Sequence, residues 1–289
     1  MAAGRDTTGP EAVTTGAAGD GTTGRGPTVP EPVMSEAVAG VLTITLDRPP
    51  ANAVDVATSH ALYEAFARLE NDTSLRVGIV TGHGDRFFCA GWDLKAAAAG
   101  EAVNADHGPG GFAGLTELHG RTKPVIAAVN GLAAGGGFEL VLAADLVVAA
   151  EHAEFSLPEA TLGIIPDAGG VLRLPRRLPR PVAVELLLAG RKLGAREALD
   201  LGLINEVVPG AEVMSAAQAL AARIVRSAPL AVAAILEVVD ATEAESVTAG
   251  YETLRSGRLP GYAAMLTSQD AAEGPAAFAE RRPPVWKGR

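Results

Sequence analysis

Two acids and two glycine turns carry the chemistry that this sequence could perform. Gly135-Gly136-Gly137-Phe138-Glu139-Leu140 sets a glutamate one turn into a helix opened by three glycines. Glu159 follows Leu157-Pro158, and Asp167 lies within Ile165-Pro166-Asp167-Ala168-Gly169-Gly170. An acid among apolar neighbours such as Phe138, Leu140 and Val141 is costly to ionise, so its pKa rises toward the operating pH, where a proton shuttle works best. A second turn, Phe88-Cys89-Ala90-Gly91-Trp92-Asp93-Leu94, ends a strand at a glycine. Each turn can aim free N–H groups at one point, because the first amides of a helix lack internal partners and glycine admits a close approach. Two converging amides form an oxyanion hole, and loss of one donor costs about 10²–10³ in rate. Taken singly, each feature also reads as ordinary structure: tight turns packed on a sheet, a helix-dipole residue at Glu139, caps at Glu159 and Asp167.

Other chemistries are poorly represented. There is no Gly-x-Ser-x-Gly elbow, His-Glu-x-x-His pair or phosphate-binding Gly-x-x-x-x-Gly-Lys-Ser/Thr loop. The triple glycine lacks the Gly-x-Gly-x-x-Gly spacing of a dinucleotide site. His60, His83, His107, His119 and His152 show no i, i+4 pairing and read as surface or satisfied core residues. The single cysteine, Cys89, excludes an internal disulfide or a thiolate cluster for zinc, and a reducing cytoplasm is the default setting. With 24 basic against 34 acidic residues the net charge is −10, the wrong sign for a general nucleic-acid-binding face. No stretch has the roughly 20 uncharged apolar residues that span a bilayer.

The elements that must position these groups alternate between two periods. Residues 1–33, rich in Gly, Thr, Ala and Pro, read as a disordered tail. Val41–Leu46, Arg76–Val80, Pro124–Val129 and Leu146–Ala149 read as strands, the third apolar throughout as in a sheet covered on both faces. Asp55 is the expected N-cap of a helix through Leu62, Phe66 and Leu69, and Gly135–Ala144 is a short helix. Such alternation predicts an α/β fold with a parallel sheet and right-handed crossovers. Beyond Pro181, helices are expected at Val182–Ala189, Ala195–Leu201, Ala211–Arg226, Leu230–Val239 and Glu245–Arg258, with one strand at Ile204–Val208. The expected organisation is a tail at 1–33, an α/β core at 34–225 and a helical region at 226–289.

Phe88–Leu94, Gly135–Leu140 and Pro158–Gly163 together resemble the crotonase, or enoyl-CoA hydratase/isomerase, superfamily, whose pattern is Phe-x-Ala-Gly-x-Asp-Leu, Gly-Gly-Gly-x-Glu-Leu and Pro-Glu-x-x-x-Gly. The resemblance runs from about Val41 to the C-terminus. Further stretches, Ala90–Ala98, Gly108–Glu117, Ile165–Pro175 and Glu273–Arg289, are similar to the carnitinyl-CoA dehydratase branch of that family, also called crotonobetainyl-CoA hydratases.

The resemblance implies a crotonase-like spiral of ββα repeats with a C-terminal helical trimerisation region, and a homotrimer or dimer of trimers. It implies a hydro-lyase acting on an acyl-CoA, with the thioester carbonyl between the amides of Trp92 and Gly136. Glu159 would move the α-proton and Glu139 would handle the β-hydroxyl or the water. Ala90, Gly91, Asp93, Leu94, Gly135, Pro158 and Asp167 would border the bound thioester. Lys95 would meet CoA phosphate, with Arg48 a second candidate, and the backbone of Ala51 and Ala53 would face the adenine. No metal or separate cofactor is implied, CoA being part of the substrate. Trp92, Phe112 and Phe138 are aromatic groups available to a trimethylammonium head. A generic short-chain hydratase, an isomerase using Asp167 as a proton carrier, and a non-catalytic binding module remain alternatives.

Overall fold

The computed structural model of the chain describes residues 31–289. The disordered tail expected at 1–33 lies outside them except at its last three positions, and there Val33 already begins a strand. The elements in chain order are β1 (Val33–Val38), β2 (Val41–Leu46), α1 (Val56–Asn71), β3 (Val77–Gly82), β4 (Phe87–Cys89), α2 (Leu94–Ala98), β5 (Val125–Val129), β6 (Leu132–Ala134) and α3 (Gly136–Ala143). They continue with β7 (Leu146–Ala150), β8 (Glu154–Ser156), α4 (Gly170–Arg177), α5 (Arg180–Ala189), β9 (Leu193–Gly194), α6 (Ala195–Asp200), β10 (Glu206–Val208) and α7 (Val213–Val225). Four helices complete the chain: α8 (Pro229–Thr242), α9 (Val247–Arg255), α10 (Pro260–Leu266) and α11 (Gln269–Glu280).

Two sheets share these strands. The larger has the order β1-β2-β3-β5-β7-β10 and the smaller β4-β6-β8-β9. From β3 onward the chain lays one strand in the large sheet, the next in the small sheet, then a helix or turn. The sequence β3-β4-α2, β5-β6-α3, β7-β8 is thus a rising spiral of ββα units, as the resemblance implies. Within each sheet the strands of the spiral are parallel, β3 to β5 to β7 and β4 to β6 to β8. The first hairpin is antiparallel, turned at Ala39 and Gly40, both with positive φ, as a two-residue turn requires.

The residue pattern accounts for the layering. Leu42, Ile44 and Leu46 alternate inward on β2, whereas β3 and β5 are buried at every position because α1 and α7 cover the large sheet. Asp55 caps α1 by accepting from the Thr58 N–H at 2.8 Å and hydroxyl at 2.7 Å, and it pairs with Arg48. Asn52 and Asn130 fasten the sheet junction: Asn52 donates to the carbonyls of His83 and Phe87, both at 3.0 Å, and Asn130 to those of Gly82 and Gly84. Among the described residues no single helix is long and apolar enough to cross a membrane.

Asp55→Ala removes a cap together with a partner of Arg48, and it is expected to lower stability by about 1–2 kcal/mol. Denaturant unfolding of the two proteins checks this, read as a lower midpoint at an unchanged slope.

Candidate active site

Three parallel strands of the small sheet end at the same place. Past the end of β4 come Ala90, Gly91 and Trp92; past β6, Gly135 and Gly136; past β8, Pro158 and Glu159. The ends are knitted together, since the Gly135 N–H donates to the Ser156 carbonyl at 2.9 Å and the Ala90 N–H to that of Ala51 at 3.1 Å. The turns also touch. A Cβ on Gly91 would stand 2.8 Å from the Gly136 nitrogen, and one on Gly137 would stand 2.1 Å from the Cys89 carbonyl oxygen. Glycine is needed at 91 for a second reason, a φ of +86°.

This contact brings together the turns that carry the Trp92 and Gly136 amides. Gly136 opens α3, so its N–H has no carbonyl one turn back, and the Trp92 N–H has no partner in the described residues. The Trp92 indole donates to Glu101 Oε1 at 2.7 Å, while Glu101 Oε2 accepts from the Val56 N–H, so the ring is braced against the start of α1.

Both predicted glutamates border one cavity of about 480 Å³. Glu139, in the first turn of α3, is only 3% exposed, and its Oε1 accepts from the Gly170 N–H at 2.8 Å where α4 begins. Burial raises its pKa to about 8; the Gly170 hydrogen bond opposes this, and the neighbouring charges of Glu159 and Asp167 add to it. Glu159 is 7% exposed, one carboxyl oxygen being buried without a hydrogen-bond partner in the described residues. Burial raises its pKa too, opposed by its own N–H and helped by Asp167. Glycine at 135 is what admits Glu159, because a Cβ there would lie 2.7 Å from Glu159 Oε1. The pair therefore shares a poorly solvated space in which one retained proton is favoured near neutral pH.

Of the other predicted residues, Ala90, Leu94, Gly135, Pro158 and Asp167 also line the cavity, with Trp92 and Gly136. Gly91, Asp93, Lys95, Ala51 and Ala53 do not. Asp93 caps α2 through the Lys95 N–H and pairs with Arg48 at 2.8 Å. The Ala51 carbonyl accepts from Ala90 and that of Ala53 from Arg48 at 2.7 Å. Arg48, read as a possible phosphate contact, is thus committed to Asp55, Asp93 and Ala53, where it fastens the loop behind the Gly91 turn. Lys95 is exposed on α2. Cys89 is buried and its thiol is pushed up to about 12, which rules it out as a nucleophile at neutral pH.

Sequence reasoning named Phe112 for the acyl end and missed the rest of the wall to which it belongs. The loop from Asn104 to Glu117 folds over the cavity and brings Asp106, His107, Phe112 and Glu117 to it. His107 Nδ1 lies 2.8 Å from the Ser59 hydroxyl, which in turn accepts from the Ala113 N–H, and the Phe112 ring meets His107 edge-on at 5.2 Å. Phe112 also lies over the glycine turn, since a Cβ on Gly136 would be 2.4 Å from its ring. Helical spacing tests on histidine could not reveal this, because the contacts join a loop to α1.

Main-chain amides without partners beside two buried carboxyls can hold an enolate and move protons at its carbon and at the next one. The profile of the enoyl-CoA hydratase/isomerase family matches residues 36–289, and the chain belongs to that family. It is 59% identical over 249 residues to the carnitinyl-CoA dehydratases of Proteus mirabilis (strain HI4320) and Salmonella typhi, spanning 86% of this chain and 95% of each relative. The crystal structure of enoyl-CoA hydratase from Mycobacterium tuberculosis H37Rv superposes with a TM-score of 0.82 at 43% identity, covering 90% of this chain and all of that one. Carnitinyl-CoA hydratase from Mycobacterium avium gives 0.69 at 46% identity, over 89% and 99%.

The raised pKa of Glu139 has a thermodynamic sign. Between about 4.5 and 8 the folded chain holds a proton that the unfolded chain has lost, so stability falls as pH rises through this range. Glu139→Gln keeps an acceptor for Gly170 without the charge. Its melting temperature is expected to exceed that of the wild type by several degrees at pH 8.5 and by little at pH 5, a difference that calorimetry at the two pH values reads directly.

Proposed function

We propose that the protein interconverts carnitinyl-CoA and crotonobetainyl-CoA plus water. One observation carries the reading: two buried glutamates facing one cavity beside two main-chain N–H groups without partners. The thioester oxygen accepts from the N–H groups of Trp92 and Gly136. With the proton on Glu139 and Glu159 ionised, Glu159 removes the α-proton, and the electron pair moves onto the thioester as an enolate held by the two amides. The enolate then collapses to the α,β double bond as the β C–O bond breaks, and Glu139 gives its proton to the departing hydroxyl, which leaves as water. The pair ends with the proton on Glu159 and Glu139 ionised, the form that adds water in the reverse direction. Both forms carry one proton in total, so both directions share one pH dependence.

The acyl assignment draws on the likeness to named carnitinyl-CoA dehydratases, and generic short-chain hydration is the runner-up. CoA enters as the carrier of the substrate, and the steps need only protein groups and water. Isomerisation is the third reading, favoured by Asp167 standing in the same cavity. We propose a homotrimer or dimer of trimers working in the cytoplasm; support for assembly comes from exposed Ile235, Val239, Val247, Tyr251 and Phe278 on three of the four C-terminal helices.

Purified protein is expected to discharge the conjugated thioester absorbance of crotonobetainyl-CoA with a higher kcat/KM than that of crotonyl-CoA. Glu139→Gln and Glu159→Gln should each lower kcat by about 10² or more. Loss of turnover in Asp167→Asn with Glu139→Gln spared would point instead to isomerisation.

The dyad must also keep its one proton. For the wild type, kcat/KM is expected to fall about tenfold per pH unit above an apparent pKa near 8, as Glu139 loses that proton. A profile flat to pH 10 would contradict the assignment.

A further inference from the structure

Arg173, one turn into α4, is a partly buried cation that makes no ion pair among the described residues. The hydrogen bonds of its side chain go to two main-chain carbonyls, Nη2 donating to Thr116 at 2.6 Å and Nη1 to Ala168 at 3.4 Å. Burial and then the nearby Arg177 lower its pKa, Glu139 and Glu243 oppose this, and Arg121 adds to it. A partly desolvated charge beside a like charge is costly. What the planar guanidinium can do, and a point charge cannot, is grip two acceptors at a fixed angle.

The two carbonyls belong to the two segments that border the dyad. Ala168 begins the turn Ala168-Gly169-Gly170, and the Gly170 N–H at its end donates to Glu139 Oε1 at 2.8 Å. The guanidinium lies directly on this turn, since a Cβ on Gly169 would stand 1.9 Å from Arg173 Nη1. Gly169 also has a φ of +114°, so a side chain there is excluded twice. The main-chain N–H of Arg173 holds the turn as well, donating to the Gly169 carbonyl at 2.7 Å. Thr116 lies in the loop over the cavity, where its hydroxyl donates to the Phe112 carbonyl at 3.0 Å, and the Phe112 ring covers Gly136. One side chain thus joins the donor to Glu139 with the wall beside the Gly136 amide.

We propose that Arg173 is a positioning residue for the dyad: by holding the Ala168 and Thr116 carbonyls together it aims the Gly170 N–H at Glu139 and keeps the closing loop against the same turn. This role deepens the proposed reaction and rests on it. Two effects follow. Loss of aim lowers turnover, because Glu139 must face the β-oxygen, whereas thioester binding falls to other groups and is largely kept. Loss of aim also leaves Glu139 harder to ionise. Burial is the strongest influence on that carboxyl and raises its pKa to about 8; the Gly170 hydrogen bond opposes this, the charges of Glu159 and Asp167 add to it, and the Arg173 cation opposes it. Removing the guanidinium takes away the opposing charge and loosens the opposing bond, so both changes have one sign.

The test uses the full-length protein with Arg173→Met, which has neither charge nor donor, and Arg173→Lys, which keeps the charge without the planar fork. In ligand-free protein containing glutamate with ¹³C at Cδ, the Glu139 signal is the one missing from Glu139→Gln. Its titration midpoint is expected to rise by about one pH unit in Arg173→Met and by less in Arg173→Lys. With crotonobetainyl-CoA, Arg173→Met should lower kcat about tenfold or more while KM changes less than about threefold, and the alkaline limb of kcat/KM should move up with the carboxyl. A side chain that only stabilised the fold would lower the melting temperature and leave midpoint and limb in place. An unmoved midpoint in Arg173→Met overturns the role; if that variant does not fold, an unmoved midpoint with wild-type kcat in Arg173→Lys does so. A shifted midpoint in a protein whose wild type hydrates no enoyl thioester supports the coupling and overturns the proposed reaction, which distinguishes the two failures.

Discussion

In the proposed reaction two peptide N–H groups from different loops must point at one oxygen, and the site is built around this demand. It can be met only where two chains approach more closely than side chains allow, and Gly91 and Gly137 are the positions at which they do so. The small sheet supplies the alignment. Its parallel strands β4, β6 and β8 end level with one another, so the residues that follow them fall on one crevice. That arrangement agrees with the general placement of ligands beyond the carboxyl ends of parallel strands. The large sheet holds the spiral rigid, and Arg48, though far from the chemistry in type, secures the Gly91 turn through Asp55 and Asp93.

The second constraint is the cost of burying carboxyls. Glu139 is almost fully enclosed, with one main-chain donor where a solvated carboxylate would have several. The single donor from the start of α4 fixes the direction of the carboxyl without restoring its ordinary acidity. Arg173, one turn into α4, reaches across to the Thr116 carbonyl at 2.6 Å and so ties α4 to the loop that closes the cavity. The enclosed acid and the wall of the pocket are thus positioned by one helix. Folding gives up some stability at neutral pH to keep a proton where catalysis can use it.

Much of this was legible in the residues. The strand at β3, the buried run of β5, the Asp55 cap and the helix behind the triple glycine follow from local pattern, and both glutamates from the resemblance that the combined motifs carry. What escaped has physical reasons. β1 is an exposed edge strand carrying Ser35 and Glu36, so it lacks the alternation that marks a half-buried strand. β6, β8 and β9 have three, three and two residues, too few for a period to show. The loop that brings Asp106, His107 and Glu117 to the cavity is held by Ser59 and by close approach of Gly114 to Tyr63, contacts across some fifty residues of chain that spacing arguments do not see. Arg48 looked free in sequence, and its two acid partners emerge only when the Asp55 and Asp93 caps are brought together.

The division of labour between the glutamates is the centre of the account, and it separates two protons at two carbons. The most direct measurement is ¹H NMR of butyryl-CoA incubated in D₂O with Glu139→Gln and with Glu159→Gln. A saturated thioester has an α-proton to exchange and no β-oxygen to lose. The account predicts that Glu139→Gln still replaces the α-proton with deuterium while Glu159→Gln does not. Exchange that survives in Glu159→Gln and vanishes in Glu139→Gln would contradict it.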